Sequence, residues 1–362
     1  MREALPVTSP EAVAVEDAVR RAYAPYFAPH VEDGRFITPW GPTPWPSVAD
    51  IARWKAQALR PGNPWRAEKK AARPIAAVAD GLRRFERLEA EEKLLFNGHA
   101  TFLIHLGGAR VLIDPVLDGM PLVPRQTPSA IPLSRPPEID VVLLTHGHYD
   151  HCDVPSLRAI ATAHPQVTFI VPLGLSGALP RECARVVEID WWQQVRVGAL
   201  TITFTPAQHW HKRGVFDTNR ALWGGWSLKA DHLHVYHSGD TGYFEGFEAV
   251  ERVLGAPDLA LLPAGAYEPR WFMAPQHMAP EDTLRALDDL NAARFIPMHW
   301  GAFDLSDETL DAGPQRLAAL LPERNLPDDA MCLLQPGASI ALEATPRRGV
   351  MSSATPDARE EE

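Results

Sequence analysis

The chain is poor in cysteine. Cys152, Cys183 and Cys332 are the only three in 362 residues and form no CxxC pair, so a disulfide framework is excluded and free thiols are expected. No apolar run approaches the roughly 18 residues that span a bilayer. The first 25 residues carry Glu3, Glu11, Glu16 and Asp17 where a signal peptide has an apolar core. A cytoplasmic protein is therefore expected, with peripheral contact at the inner membrane face as the one membrane association left open. Positive charge is also short: 35 Lys and Arg against 46 Asp and Glu leave a net charge of -11. With no basic run to offset it, that balance argues against a nucleic-acid partner. Hydrophobic residues at 46% and charged residues at 22% exclude a disordered or fibrous chain.

Proline and tryptophan, by contrast, are abundant, at 35 and 11 residues. Many of them gather between Phe36 and Trp65, where Pro39, Pro42, Pro44, Pro46, Pro61 and Pro64 stand among Trp40, Trp45, Trp54 and Trp65. Proline fixes φ and removes a donor, so this stretch is neither continuous helix nor central strand. One helix fits inside it, Val48 to Leu59, because Ser47 and Asp50 form a capping-box pattern. A second is expected from Pro74 to Leu88 on the spacing of Ile75, Val78, Leu82, Phe85 and Leu88. Residues 1–90 thus read as an N-terminal extension packed on a core at 91–345, with a disordered tail at 346–362 that ends Arg359-Glu360-Glu361-Glu362.

Within the core, Leu94 to Phe96, Thr101 to Leu106 and Arg110 to Ile113 read as a meander, with Gly107-Gly108 as the second turn. Further strands are expected at Val141 to Leu144, Val167 to Val171, Leu200 to Thr205, Leu233 to Tyr236, Leu259 to Leu262 and Phe295 to Met298. Helical patterns fall between some of them, at Pro155 to Ala163, Phe244 to Leu254 and Pro280 to Leu290. A meander followed by strand-helix units implies layered α/β sheets with helices outside.

Chemistry concentrates in Thr145-His146-Gly147-His148-Tyr149-Asp150-His151, directly after an apolar strand. His146 and His148 are two apart and can point to one side of a loop, while Asp150 and His151 turn towards a neighbouring position. Imidazole and carboxylate at this density, without thiolate, suit zinc or a similar divalent ion. Three later strand ends offer more ligands: His209, Asp240 in Ser238-Gly239-Asp240-Thr241-Gly242, and His299.

Together these residues resemble the metallo-β-lactamase superfamily, whose signature is HxHxDH followed by a distant His, an Asp and a final His. Within it the chain is most similar to the N-acyl-phosphatidylethanolamine-hydrolysing phospholipase D group and its bacterial relatives. That similarity rests on Asn97 to Thr101, Leu112 to Pro115, Gln208 to Arg213, Leu222 to Ser227, Gly239 to Tyr243, Gly265 to Met273 and Gln276-His277. The resemblance implies a four-layer αββα sandwich. It implies two zinc ions, with manganese or iron as alternatives: His146, His148 and His209 at one, Asp150, His151 and His299 at the other, and Asp240 bridging. It further implies a phosphodiesterase that uses a hydroxide shared by the two ions as nucleophile.

Asp150, itself one of the ligands, is with His277 and Asp114 a candidate catalytic residue, and Asp114 is expected near His277. Gln276, Tyr267 and Arg270 are the candidate substrate contacts, the last as a phosphate clamp. Asp153 suits either a ligand imidazole or a helix N-cap, and His99 and His105 stay unassigned, a lone histidine on a strand being more often structural. Two departures from the group stand out, His211 in place of a cysteine and a divergent proline-rich loop from Leu117 to Pro137. The alternative activities are a lactonase or other carboxylic-ester hydrolase, and more remotely a di-iron oxidoreductase. The expected partner is a small-molecule or lipid substrate, and a homodimer is compatible with the sequence.

Overall fold

The computed structural model describes residues 4–60, 62–324 and 326–344, so the expected tail at 346–362 lies outside the described residues. The apolar strands form two seven-stranded sheets. The first runs in the order Ser339–Ala341, Lys93–Gly98, Thr101–Leu106, Ala109–Ile113, Val141–Leu143, Thr168–Pro172 and Val186–Ile189. The second runs Glu11–Ala12, Gln193–Val197, Leu200–Thr205, Gly225–Lys229, His234–His237, Leu259–Pro263 and Arg294–Met298. Gly107 and Gly108 make the expected tight turn: both have positive φ, and Leu106 pairs with Ala109 across them.

Strand periodicity builds the layers. Leu94, Phe102, Ile104, Val111 and Ile113 share a cluster with Ile202, Phe204, Trp226, Leu228 and Val235, which fills the space between the sheets. Their alternating neighbours Leu95, Leu103, Leu112 and Val142 pack instead with Phe85 of helix Gly81–Arg87 and with Leu157 and Ile160 of helix Val154–Ala163. On the far side, Phe247, Val250, Leu284, Leu287 and Leu317 come from helices Gly246–Leu254, Pro280–Asp289 and Ala312–Leu320. Helix, sheet, sheet and helix follow in order, which is the αββα sandwich.

The N-terminal region departs from expectation at two helices. Ser47 and Asp50 close a reciprocal capping box on Val48–Ala58, as their spacing implies. The expected helix from Pro74 begins only at Gly81, because Asp80 is left-handed (φ 57°) and Val78 N donates to Pro336 O instead of a helical carbonyl. A helix at Pro64–Ala71, capped by Asn63, stands where none was expected. Trp40 packs with ring centroids 5.0 Å from Tyr26, 5.3 Å from Phe244 and 5.4 Å from Trp191, and its indole N–H donates to Gln208 Oε1. Trp54 stacks on Phe272 at 4.8 Å and donates to Asp307 at 2.9 Å. Trp45 is half exposed.

Candidate metal centre

Strand polarity collects the polar residues. Lys93–Gly98, Ala109–Ile113 and Val141–Leu143 run in one sense within the first sheet. Leu200–Thr205, His234–His237, Leu259–Pro263 and Arg294–Met298 share a sense within the second. Their C-terminal ends meet at one edge of the sandwich, where His99 N donates to Trp300 O at 3.0 Å and His299 N donates to His99 O at 2.8 Å. His99, Asp114, His146, His209, Asp240 and His299 each follow one of these ends.

Three imidazoles converge first. His148 Nδ1 lies 2.9 Å from His146 Nε2 and 3.2 Å from His209 Nε2. Hydrogen bonding at the far side of two rings fixes which nitrogens carry lone pairs. His209 Nδ1 donates to Gln276 O at 3.0 Å, which leaves Nε2 as an acceptor. Thr145 Oγ1 spends its proton on Asp114 Oδ2 at 2.6 Å and so accepts from His146 Nδ1 at 3.0 Å, again leaving Nε2 bare. Lone pairs facing one another this closely fit a shared cation, since zinc–imidazole bonds of about 2.0–2.1 Å place ligand nitrogens at comparable separations. Gly147, between His146 and His148, leaves room for the His211 ring, which a Cβ there would overlap.

A second group adjoins the first. Asp150 Oδ2 lies 3.0 Å from His99 Nε2 and 3.5 Å from both His151 Nε2 and His299 Nε2. Asp240 Oδ2 lies 3.0 Å from His299 Nε2 and 3.1 Å from His151 Nε2, and 4.0 Å from His209 Nε2 and His277 Nδ1. Asp240 thus reaches towards both groups, and its Oδ1 is buried without a hydrogen-bond partner, as are His151 Nε2 and His299 Nε2. Orphaned buried atoms on a convergent set of imidazoles and carboxylates fit divalent ions.

The charges agree with that fit. Burial and the surrounding imidazoles, His151 foremost, push His146 well below its ordinary value. His148 and His277 are driven down to about 4 chiefly by burial. Burial opposes ionisation of Asp150 and Asp240, yet His151 and its neighbours hold both carboxyls well below the usual range. Against its own burial, His299 is raised to about 9 by Asp240 and Asp150.

The remaining sequence candidates divide. His277 reaches the centre, with its ring centroid 5.3 Å from those of His209 and His299. Asp114 sits at His151 instead of His277: its Oδ2 accepts from His151 Nδ1 at 2.7 Å and its Oδ1 from Thr145 N at 2.7 Å. It therefore orients His151 through a carboxylate–histidine pair. Asp153 caps helix Val154–Ala163 by accepting from Ser156 N at 3.0 Å. Arg270 is committed to Asp282 at 2.8 Å and to the carbonyls of Tyr267 and His277. Tyr267 and Arg270 line a separate cavity, so the structure does not bring this pair to the centre, and the guanidinium steadies the His277 segment instead. His99 is the residue that sequence reasoning missed, since a lone histidine after a strand carries no spacing signal.

A cavity of about 520 Å³ stands over the centre. His148, Asp150, Asp240, His277 and His299 line its floor, and Gln276 reaches its wall. Pro46, Ile51, Trp54, Met120, Pro121, Phe272 and Leu305 make an apolar upper part, to which the N-terminal region contributes three residues. Two cations line it. Arg213 is spent on the carbonyls of Gly147 at 2.9 Å and Cys152 at 2.7 Å, whereas no described residue pairs with Lys212.

The sequence profile of the beta-lactamase superfamily domain matches residues 109–300, more than half of the chain. The chain belongs to the metallo-β-lactamase superfamily. Among curated relatives, the N-acyl-phosphatidylethanolamine-hydrolyzing phospholipase D 1 of Caenorhabditis elegans is 34% identical over 225 residues, 58% of this chain and 63% of the worm protein. The match therefore spans less than two thirds of that relative's length. A metal-dependent hydrolase of Thermoplasma acidophilum is 30% identical over 240 residues, 63% of this chain and 90% of its own length. The solved structure of an isothiocyanate hydrolase from Delia radicum gut bacteria superposes with a TM-score of 0.54 at 21% identity, covering 70% of this chain and all of that one. At that identity the superposition speaks for the shared superfamily fold alone.

Proposed function

We propose that this metallo-β-lactamase superfamily member, a metal-dependent hydrolase, is a two-zinc phosphodiesterase acting on an N-acylated phospholipid or a closely related phosphodiester. The observation that carries this reading is the pairing of two candidate ligand groups across Asp240 beneath a largely apolar cavity, which is also lined by Lys212, unpaired among the described residues. The relatives whose names specify N-acyl-phosphatidylethanolamine hydrolysis supply the substrate class.

His146, His148 and His209 would hold one ion, Asp150, His151 and His299 the other, and Asp240 would face both. Such a pair supplies an ionised water as nucleophile and neutralises charge developing on the phosphoryl oxygens. The chain's own residues do the rest. Lys212 draws the phosphate towards the floor of the cavity, and the apolar wall takes the acyl chains while excluding water. His277, neutral near pH 7 and within 4.0 Å of Asp240 at the cavity, is placed to take the proton of the attacking hydroxyl as its oxygen bonds to phosphorus and to pass it to the departing alkoxide.

A lipid substrate also calls for contact with a bilayer. Exposed Ile51 lines the cavity, exposed Trp45 and Val48 lie within two residues of the lining Pro46, and exposed Leu122 and Phe216 lie within two residues of the lining Pro121 and Gly214. Peripheral membrane contact through this rim belongs to the proposal.

Zinc-loaded protein assayed against N-acylphosphatidylethanolamine vesicles and a lactone panel tests the reading. Phosphatidic acid release that is abolished by chelation and restored by zinc is expected. Lactone turnover without phosphodiester turnover would replace it with the carboxylic-ester activity.

A further inference from the structure

His99 lies outside the expected ligand set, yet it is buried against it, and its ring centroid is 4.0 Å from that of His299. Its Nε2 is 3.0 Å from Asp150 Oδ2, so the ring N–H donates to that carboxylate and leaves Nδ1 as a buried lone pair without a partner. The backbone of the same residue exchanges two hydrogen bonds with the His299–Trp300 segment of the other sheet. Its left-handed conformation (φ 59°) turns the chain sharply between strands Lys93–Gly98 and Thr101–Leu106, so that side chain and backbone serve both neighbours.

The turn is held from below as well. His237 Nδ1 accepts from Gly239 N at 3.0 Å, so its Nε2 donates to Ala100 O at 3.2 Å. The turns that carry His99 and Asp240 are thereby tied together.

We propose that His99 is the positioning residue of the second ligand group: its ring fixes Asp150, its backbone fixes His299, and the second ion binds because both are held. The inference rests on the two-ion reading above. It assigns His99 no bond to the metal, since the nitrogen that faces the group is already donating to Asp150. Removing such an outer partner ordinarily costs about 10–100-fold in metal affinity.

The test uses the full chain and two variants, His99→Leu and His99→Gln, the latter because its amide N–H can reach where Nε2–H does. Wild type and variants are dialysed against graded free zinc for stoichiometry, and loaded with cobalt(II) for the visible spectrum. Wild type is expected to take two ions per chain. His99→Leu should hold one at wild-type affinity and the other about 10–100-fold more weakly. His99→Gln should bind close to wild type, with an unchanged cobalt spectrum. Full second-ion affinity in His99→Leu overturns the inference, as does a His99→Gln variant that loses the second ion. A His99→Gln spectrum that reports a missing imidazole would make His99 a ligand and likewise overturn it. If His99→Leu does not fold, the glutamine variant decides alone. A wild-type protein that takes one ion sinks the two-ion reading itself, and the His99 inference falls with it.

Discussion

Asp240 is the residue on which the two ligand groups depend together, because its Oδ2 lies 3.0–3.1 Å from His299 and His151 and 4.0 Å from His209. Asp240→Asn keeps the shape and removes the charge, so turnover should fall below detection and metal content should drop, as read by activity and elemental analysis on one preparation. Normal activity in a fully metallated Asp240→Asn protein would remove Asp240 from the bridging place. Asp114→Asn should act more gently, since the residue orients His151 from outside; a loss of about 10–100-fold in metal affinity is expected from dialysis. Acid should also destabilise the protein through histidines beyond the ligand set. Burial holds His211 at about 4 and pushes His237 below 6.5. The unfolded chain takes up protons below about 6.5 that the folded one refuses until its lower values are reached. Stability is therefore present in full above about pH 6.5 and declines towards pH 4, which urea midpoints across that range would register. A flat profile would contradict it.

At the scale of elements, legibility followed the strength of the local pattern. Thr101–Leu106 and Leu200–Thr205 were readable to the residue, because their apolar positions alternate or run unbroken between turn signals. Gln193–Val197 and Gly225–Lys229 were not, since glutamine, arginine and glycine hide strands whose place is set by pairing with Leu200–Thr205. The Pro74 helix failed for the same tertiary reason: Val78 bonds to Pro336, which no local spacing announces. Of the candidate site, HxHxDH was legible as spacing, and His209, Asp240 and His299, which the structure groups with it, as residues at strand ends. The separation of Arg270 from the centre, and the place of His99 within it, depend on contacts between distant segments. Helix Val48–Ala58 illustrates what that hides, for its Trp54 is buried on Phe272 and walls the cavity. Trp54→Ala should cost about 3–5 kcal/mol in stability. It should also raise KM more than it lowers kcat if the wall binds acyl chains as proposed, since the wall holds none of the polar residues of the centre; denaturant curves and steady-state kinetics separate the two effects.

For the whole molecule, the apolar rim makes the clearest prediction. Phe216 is 86% exposed beside the cavity mouth, so Phe216→Asp should leave turnover of a dispersed short-chain substrate intact while weakening vesicle co-sedimentation. Equal sedimentation of both proteins would remove the rim from lipid binding. The acidic balance of -11 adds a direction, since anionic vesicles should bind less well than zwitterionic ones at low salt. A last consequence comes from the backbone clasp between His99 and His299, which are 200 positions apart in the chain. No short segment can form a complete ligand group, so the docked sandwich, and not any fragment of it, is what metal recognises. An ion that binds only the finished fold adds to its stability by mass action, about 2.7 kcal/mol at a free concentration one hundred times its dissociation constant. Metal supply in the cell would then govern how long this protein lasts as well as how fast it works.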